Sequence, residues 1–576
     1  MKNKNKQWKI AHKISDTVIK KHPHYNEVVL QLLYNRGFVE DAEIETILNP
    51  DYQKYVFDPF LFNHMADAVE KIIEHIKKKN KIFIYGDYDA DGVTSSALMF
   101  DILTILKAQV EVYIPDRVSE GYGVNKKAVD FINQNNGKLI ITVDSGIRSK
   151  NEIDHAQELG IDVIVTDHHT PSEEKNTLPN CLIINPILEN EKYPFKYLSG
   201  VGVAFKLASA LVFKSNLDQS QKEKLEKRML DLVAIGTIAD CVVLLGENRV
   251  LVNEGLKILN NTSRTGLKEL IKIAGLDGKK IASWNIGFQI APRINAAGRM
   301  DHANTAFNLL IASHEMTAKK MATELNQRNL DRQVVAENIF QEVNEIVKDI
   351  EDKILIGVFE LNHEKENEIW NEGIIGLVAG KICEKYYKPS LVVTKVVDGY
   401  KGSGRSIEEF NLIEAVSAVG DVLEKYGGHP MACGFSLTDK NIENFKSKII
   451  TLTNQKLKDV ELLPKIKIET FLDLASISED LYWQINKLEP FGYGNERPIF
   501  ASAQVIIDDK IFMGSDNQHV KFKIKNNDTS VTAISFNSAE RWKNINIGDV
   551  VDVAYYLDLN EFNGKKEIQI RIVDIK

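Results

Sequence analysis

Cysteine is scarce in this chain: 576 residues hold four, Cys181, Cys241, Cys383 and Cys433, scattered and with no C-x-x-C pair. Neither a zinc knuckle nor a disulfide framework fits such spacing. No apolar run approaches the roughly 18 residues of a membrane span. The start, Met1-Lys2-Asn3-Lys4-Asn5-Lys6-Gln7-Trp8, is polar and lacks the apolar centre of a secretion signal. A cytoplasmic protein without membrane attachment is expected. Also missing are a fixed-period repeat, a low-complexity tract, a convincing Ser or Cys nucleophile motif, and the Lys-Ser/Thr ending of a triphosphate-binding loop. A basic excess is absent too, since the net charge is −9. Nucleic-acid binders more often carry a basic face, but a site built of carboxylates is acidic by construction, so the bulk charge decides little.

With 44% hydrophobic and 27% charged residues, the composition is that of a globular protein of three or four domains. Residues 1–58 mix helix-like and polar stretches and read as an N-terminal cap. Apolar residues then recur at helical spacing (Ala66, Val69, Ile72, Ile73, Ile76). Strand-like and helix-like stretches alternate from 80 to 200: strands at 82–86, 110–114, 139–143 and 162–166, helices at 93–107, 126–135 and 150–159. A βαβ series of this kind predicts a doubly wound parallel sheet. The next 125 or so residues read as mostly helical (220–345), and the amphipathic run Gln341 to Ile350 belongs to a long connecting helix. A second α/β pattern starts at Lys353. It carries two glycine-rich turns, Gly402–Ser406 and Gly427–Gly434, either tight turns or backbone nests for an anion. After Pro464, short alternating strands suggest a small barrel of the OB type. The fold class expected is α/β: two α/β lobes joined by a long helix, plus a C-terminal OB-fold barrel. The expected boundaries are 1–58, 59–313, 314–350, 351–460 and 461–576.

Four acidic clusters stand where apolar runs stop: Asp87-Tyr88-Asp89-Ala90-Asp91-Gly92, Asp144-Ser145-Gly146, Asp167-His168-His169, and Asp240. Ligands of open α/β sheets bind at the carboxyl ends of the strands. Carboxylates and imidazoles gathered there, with little nearby Lys or Arg, would repel one another unless divalent cations join them; manganese, magnesium or zinc suits such donors. The first cluster begins like an EF-hand loop, but the bidentate Glu required at position twelve is replaced by Leu98. Helix capping by Asp91 would explain one carboxylate, not three. Asp144 by itself could be a turn residue. Asp240 ends an apolar stretch, helix or buried strand, and a charge there needs a partner. The pattern points to a two-metal hydrolase site.

In order and spacing, Tyr85-Gly86-Asp87-Tyr88-Asp89-Ala90-Asp91-Gly92, Val143-Asp144-Ser145-Gly146, Thr166-Asp167-His168-His169 and Gly236-Thr237-Ile238-Ala239-Asp240 resemble the four motifs of DHH phosphoesterases. Gly427-Gly428-His429…Gly434 resembles the glycine-rich motif of the associated DHHA1 domain. Pro115-Asp116-Arg117…Gly123, Pro292–Arg299, Leu325–Gln333 and Pro490–Asn495 narrow the resemblance to the bacterial single-strand-specific DNA exonucleases of that family. It spans about residue 30 to the end.

The resemblance implies Asp89, Asp91, Asp144, His168 and Asp240 as ligands of two Mn²⁺ or Mg²⁺ ions, with Asp144 bridging. Asp87 is then an extra catalytic acidic residue and His169 a contact to the scissile phosphate. Arg117, Arg293 or Arg299, Ser403, Arg405 and His429 would hold the strand's phosphates, Arg299 also serving catalysis. The implied activity is 5′→3′ hydrolysis of single-stranded DNA to mononucleotides in repair and recombination. A helicase and a single-strand-binding protein are the implied partners, and the protein is expected to be a monomer. Related enzymes acting on short oligonucleotides carry His where this chain has Tyr85, and a non-catalytic scaffold would lack ligands. Departures from the pattern are Asn371 for His, Lys381 for Arg, Val243 for Pro and Cys433 for Ala. The chain ends at Lys576 just past the barrel, so partner binding through a further extension is not expected. Tyr482, Trp483, Phe491 and Tyr493 are candidate base-stacking residues.

Overall fold

The computed structural model describes residues 6–172, 176–359, 369–562 and 564–576. Its first lobe is built on five parallel strands in the spatial order Gln109–Tyr113, Lys81–Tyr85, Gly137–Val143, Asp162–Thr166, Leu182–Ile184. The strands form because Val/Ile-rich runs suit a sheet buried on both faces. Ile82, Ile84, Leu139, Ile141 and Ile164 enter one core; Phe83, Tyr85, Ile140, Val163 and Val165 enter the other. The helices Ala90–Ile105, Gly200–Lys214 and Gln219–Ala239 pack together on the first face. The apolar stretch before Asp240 is thus helix.

The second lobe is a mixed sheet ordered Lys425–His429, Ala432–Leu437, Gly399–Arg405, Ser390–Val396, Leu355–Val358. Here Gly402–Arg405 lies within a strand, and Gly427–Gly434 is a hairpin whose two strands are joined by a tight turn at Pro430-Met431. Gly402 pairs with Val393 on one side and Phe435 on the other, so its backbone groups serve the sheet ladder rather than an anion nest. The 33-residue helix Glu315–Val347 joins the lobes, packing on Ala291–Met300 from the first and Ile375–Tyr386 from the second.

The C-terminal strands Phe500–Met513, His519–Asn526, Thr529–Ser535, Lys565–Ile575 and Val550–Phe562 close into a barrel, because the last also pairs with the first. The N-terminal region packs on the barrel region. Ile14, Leu30, Leu33, Ile44 and Ile47 share one core with Leu472, Phe500 and Val520 of the barrel region. The strand Gln7–Ile10 also pairs in parallel with Lys465–Ile468.

Candidate metal centre

The strand order reverses direction between Lys81–Tyr85 and Gly137–Val143, and it is at such a reversal that a ligand crevice opens. Asp87 and Asp144 emerge there. Asp89 caps the helix Ala90–Ile105, its Oδ1 accepting from the N–H groups of Asp91 (2.9 Å) and Gly92 (3.1 Å). The cap is therefore Asp89 and not Asp91, as sequence alone suggested. Asp91 instead crosses to the start of the helix Gly200–Lys214. Its carboxylate accepts from Gly200 N at 2.7 Å and Val201 N at 2.9 Å, at the positive end of the helix dipole. Residue 200 must be glycine for this approach, since a Cβ there would collide with the Asp144 carboxylate. Asp144 has φ 59°, a left-handed backbone uncommon for a residue other than glycine. Asp240 terminates the helix Gln219–Ala239.

These elements bring seven predicted residues together. Donor atoms of Asp87, Asp89 and Asp144 lie within 4.8 Å of one another, as do those of Asp91, His168 and Asp240, and those of Asp144, His168 and His169. His168 Nε2 is 3.2 Å from Asp144 Oδ1 and 3.5 Å from Asp240 Oδ2. Even so, Asp87 Oδ1, Asp144 Oδ1 and His168 Nε2 are buried with no hydrogen-bond partner. Orphaned donors of oxygen and imidazole type, in three groups that share Asp144 and His168, fit hard divalent cations.

Burial, and then the neighbouring carboxylates, hold Asp87, Asp144 and Asp240 well above the ordinary Asp range, and Asp91 is pushed up to about 7. Burial, then His169, presses His168 down to about 4, so its ring is neutral and able to ligate. His169 goes the other way. Burial would lower it, but its bond to Asp167 raises it. Asp167 is buried yet held below the ordinary range, because the bond from His169 and the N–H of Ile147 (3.0 Å) outweigh desolvation. Its Oδ1 also accepts from the N–H groups of His168 and His169. Both Asp167 Oδ1 (2.8 Å) and Tyr122 Oη (2.9 Å) meet the Nδ1 of His169, so these contacts leave its Nε2 unused.

Arginines from both lobes gather nearby. Arg299 donates to the carbonyl of Gly373 across the lobe junction at 2.9 Å. Burial, then Arg117 and Arg332, lowers it to about 9. Arg117 lies over the Tyr88 ring, 4.7 Å from its centroid. Arg405 and Ser403 share a strand, and Ala432 pairs with Arg405 and with His429, which puts all three at one end of the sheet. Arg293 is held elsewhere: Nε donates to Asn326 and Nη1 to the carbonyl of Gln289. Asn371 turns its own loop, accepting from Gly373 N at 2.8 Å, and Lys381 pairs with Glu337. Of the aromatic candidates, Tyr493 is 64% exposed and Trp483 45%, while Tyr482 and Phe491 pack partly against the barrel core; none lies in a barrel strand. Sequence reasoning assigned no role to Asp167, Tyr122 or Arg332. Asp167 had a signal, its place between a buried strand and two histidines.

Residues 81–237 match the DHH family, N-terminal domain, residues 351–455 the DHHA1 domain and residues 468–574 the RecJ OB domain. The single-stranded-DNA-specific exonuclease RecJ of Bacillus subtilis is 37% identical, over 99% of this chain and 70% of its own length. That of Escherichia coli is 32% identical, over 88% of this chain and 89% of its own. The crystal structure of RecJ in complex with Mn²⁺ from Thermus thermophilus superposes with a TM-score of 0.84 at 26% identity, covering 99% of this chain and 79% of that one. Three matched domains in this order, on a sheet whose strand ends collect the acidic and imidazole donors, mean that the chain belongs to the RecJ family.

Proposed function

We propose that this chain is a divalent-cation-dependent exonuclease that degrades single-stranded DNA from its 5′ end to mononucleotides. The observation that carries the reading is the set of buried, unpartnered donors, Asp87 Oδ1, Asp144 Oδ1 and His168 Nε2, at the strand ends of the first lobe. Asp89, Asp91, Asp144, His168 and Asp240, with Asp87 beside them, would hold two Mn²⁺ or Mg²⁺ ions. A bound pair of such ions supplies an activated water and neutralises charge on the phosphate. Around it, this chain's own residues bind and orient. Asp91, fixed by a helix N-terminus, and His168, kept neutral, hold ligating atoms in place. Asp167 locks His169 so that its unused Nε2 can donate to a phosphate oxygen. Arg117, Arg299 and Arg405 face the strand with like charge and stabilise the developing negative charge. Ser403 and His429, at the same sheet end as Arg405, extend the contact.

A short-oligonucleotide phosphodiesterase is disfavoured by Tyr85 and by the barrel. A non-catalytic scaffold is disfavoured by the complete donor set. Supply of substrate by a helicase and a single-strand-binding protein, action as a monomer in the cytoplasm, and a role in repair and recombination belong to the same proposal. No helix among the described residues is long and apolar enough to cross a membrane.

End-labelled single- and double-stranded DNA, each with Mn²⁺, Mg²⁺ or chelator, tests the reading. Mononucleotides should be released from single strands only, and both chelator and Asp144→Ala should abolish release. Cleavage of dinucleotides alone, or undiminished cleavage in chelator, would sink it.

A further inference from the structure

The connecting helix carries a half-buried charge that none of the assigned roles uses. Arg332 donates from Nη2 to Asn329 Oδ1 at 3.0 Å, and its Nε is buried without any partner. Asn329 is itself buried. One turn earlier on the same helix, Arg328 also has a nitrogen without an acceptor, Nη1, but its charge is met by Asp301 and Glu324, both 2.6 Å from Nη2. Other buried arginines are either paired or fully hydrogen-bonded: Arg264 meets Asp101 and Asp231, Arg36 meets Glu469, and Arg249 donates to the carbonyls of Ile47, Lys487 and Leu488. Arg332 has no carboxylate, and its Nε has no acceptor.

Its neighbours fix where it stands. Arg328, four residues before, reaches Asp301. Val335 and Ala336, three and four residues after, pack with Met300, Trp370 and Ile374. Arg332 therefore leaves the helix at the level of Arg299 and of the Gly373 carbonyl that receives it. Its charge depresses Arg299, as do those of Arg117 and Arg405. Among the described residues, none of these four guanidinium groups has a carboxylate within ion-pair distance. The acceptors they do have are neutral: Gly373 O for Arg299, Gly404 O for Arg405, Asn329 Oδ1 for Arg332. Like charges half removed from water and left without an ion pair are costly. Four forks without an ion pair of their own suit an oxyanion, and guanidinium matches phosphate in bidentate geometry.

We propose that Arg332 is a further substrate-phosphate ligand, completing with Arg117, Arg299 and Arg405 an anion cradle where the two lobes meet the connecting helix. The proposal rests on the exonuclease reading for the identity of the substrate. The cradle itself is tested without DNA.

The full chain in Mg²⁺ is titrated with inorganic phosphate and followed by thermal denaturation. Phosphate is then tried as an inhibitor of single-strand hydrolysis. In the wild type, phosphate should raise Tm and compete with DNA. Arg332→Gln should weaken the phosphate response about tenfold or more and lower kcat/KM by about 10- to 100-fold, as expected for a lost charge-assisted bond. KM should carry most of that fall, the Mg²⁺-induced shift in Tm should stay unchanged, and Arg332→Lys should recover part of the loss. Arg328→Ala should leave the phosphate response intact. The proposal is overturned if Arg332→Gln keeps the wild-type phosphate response and a kcat/KM within about twofold. It is also overturned if the variant lowers the phosphate-free Tm while its phosphate response survives, which marks a structural arginine. If the wild type bound phosphate but cleaved no DNA, the exonuclease reading would fail and the cradle would stand.

Discussion

Asp144 and Asp167 are both buried at strand ends, and their surroundings are opposite. Asp167 accepts from three backbone N–H groups and from His169, whereas Asp144 Oδ1 has no hydrogen-bond partner and faces other carboxylates. A carboxylate so placed costs stability until a cation joins it. Asp144→Asn should therefore raise the Tm of the chelator-treated protein, by about 2–4 °C per kcal/mol of repulsion removed, while abolishing the stabilisation given by Mn²⁺. A Tm below the wild type's would show that something other than charge repulsion governs this position. Asp167→Asn exchanges an acceptor for a donor in front of an N–H. It should lower activity about 10- to 100-fold and unfolding stability by about 1–3 kcal/mol, seen in paired rate and urea-denaturation measurements. At this scale the sequence was legible wherever acids follow apolar runs. It was two residues off for the cap, since Asp89 takes the local N–H groups and Asp91 reaches those of Gly200 and Val201, far along the chain. Tyr122 was illegible because its partner His169 is far along the chain.

Elements repeat the lesson with glycine. Gly402 in a glycine-rich run reads equally well as a loop or a strand. Only the two flanking strands decide, and the Phe435 ring lies where a Cβ would be. Gly402→Val should accordingly destabilise the second lobe by about 1–3 kcal/mol through overpacking, despite the better strand propensity of Val. Limited proteolysis or hydrogen exchange confined to residues 390–437 would report it, and unchanged protection there would refute it. The connecting helix was legible from amphipathic spacing only in its last two turns, from Gln341 on. That one of its arginines stands beside Arg299 depends on how the helix crosses Ala291–Met300, which no local pattern states.

Across the whole molecule, residues remote in sequence form one body. Arg249, fully buried in the first lobe, donates to the carbonyls of Ile47, Lys487 and Leu488 and so ties that lobe to both the N-terminal region and the segment entering the barrel. Arg249→Ala leaves those carbonyls unpaired in a cavity and should cost about 3–5 kcal/mol. Calorimetry should then resolve a barrel-plus-N-terminus transition separate from the catalytic lobe, while a single unbroken transition would refute this joint. The net charge of −9 conceals a local concentration of arginine, so only the spatial distribution of charge bears on DNA.

Patterning along the chain determined the parallel sheet, the second lobe, the barrel and the places where acids and histidines follow strands, because hydrophobic period and turn chemistry are local properties. The tertiary structure decided which donors remain unpartnered, which arginines meet, and that the N-terminal region shares the barrel's core. Those outcomes depend on distances between segments hundreds of residues apart, and such distances are set by packing rather than by any single stretch of sequence.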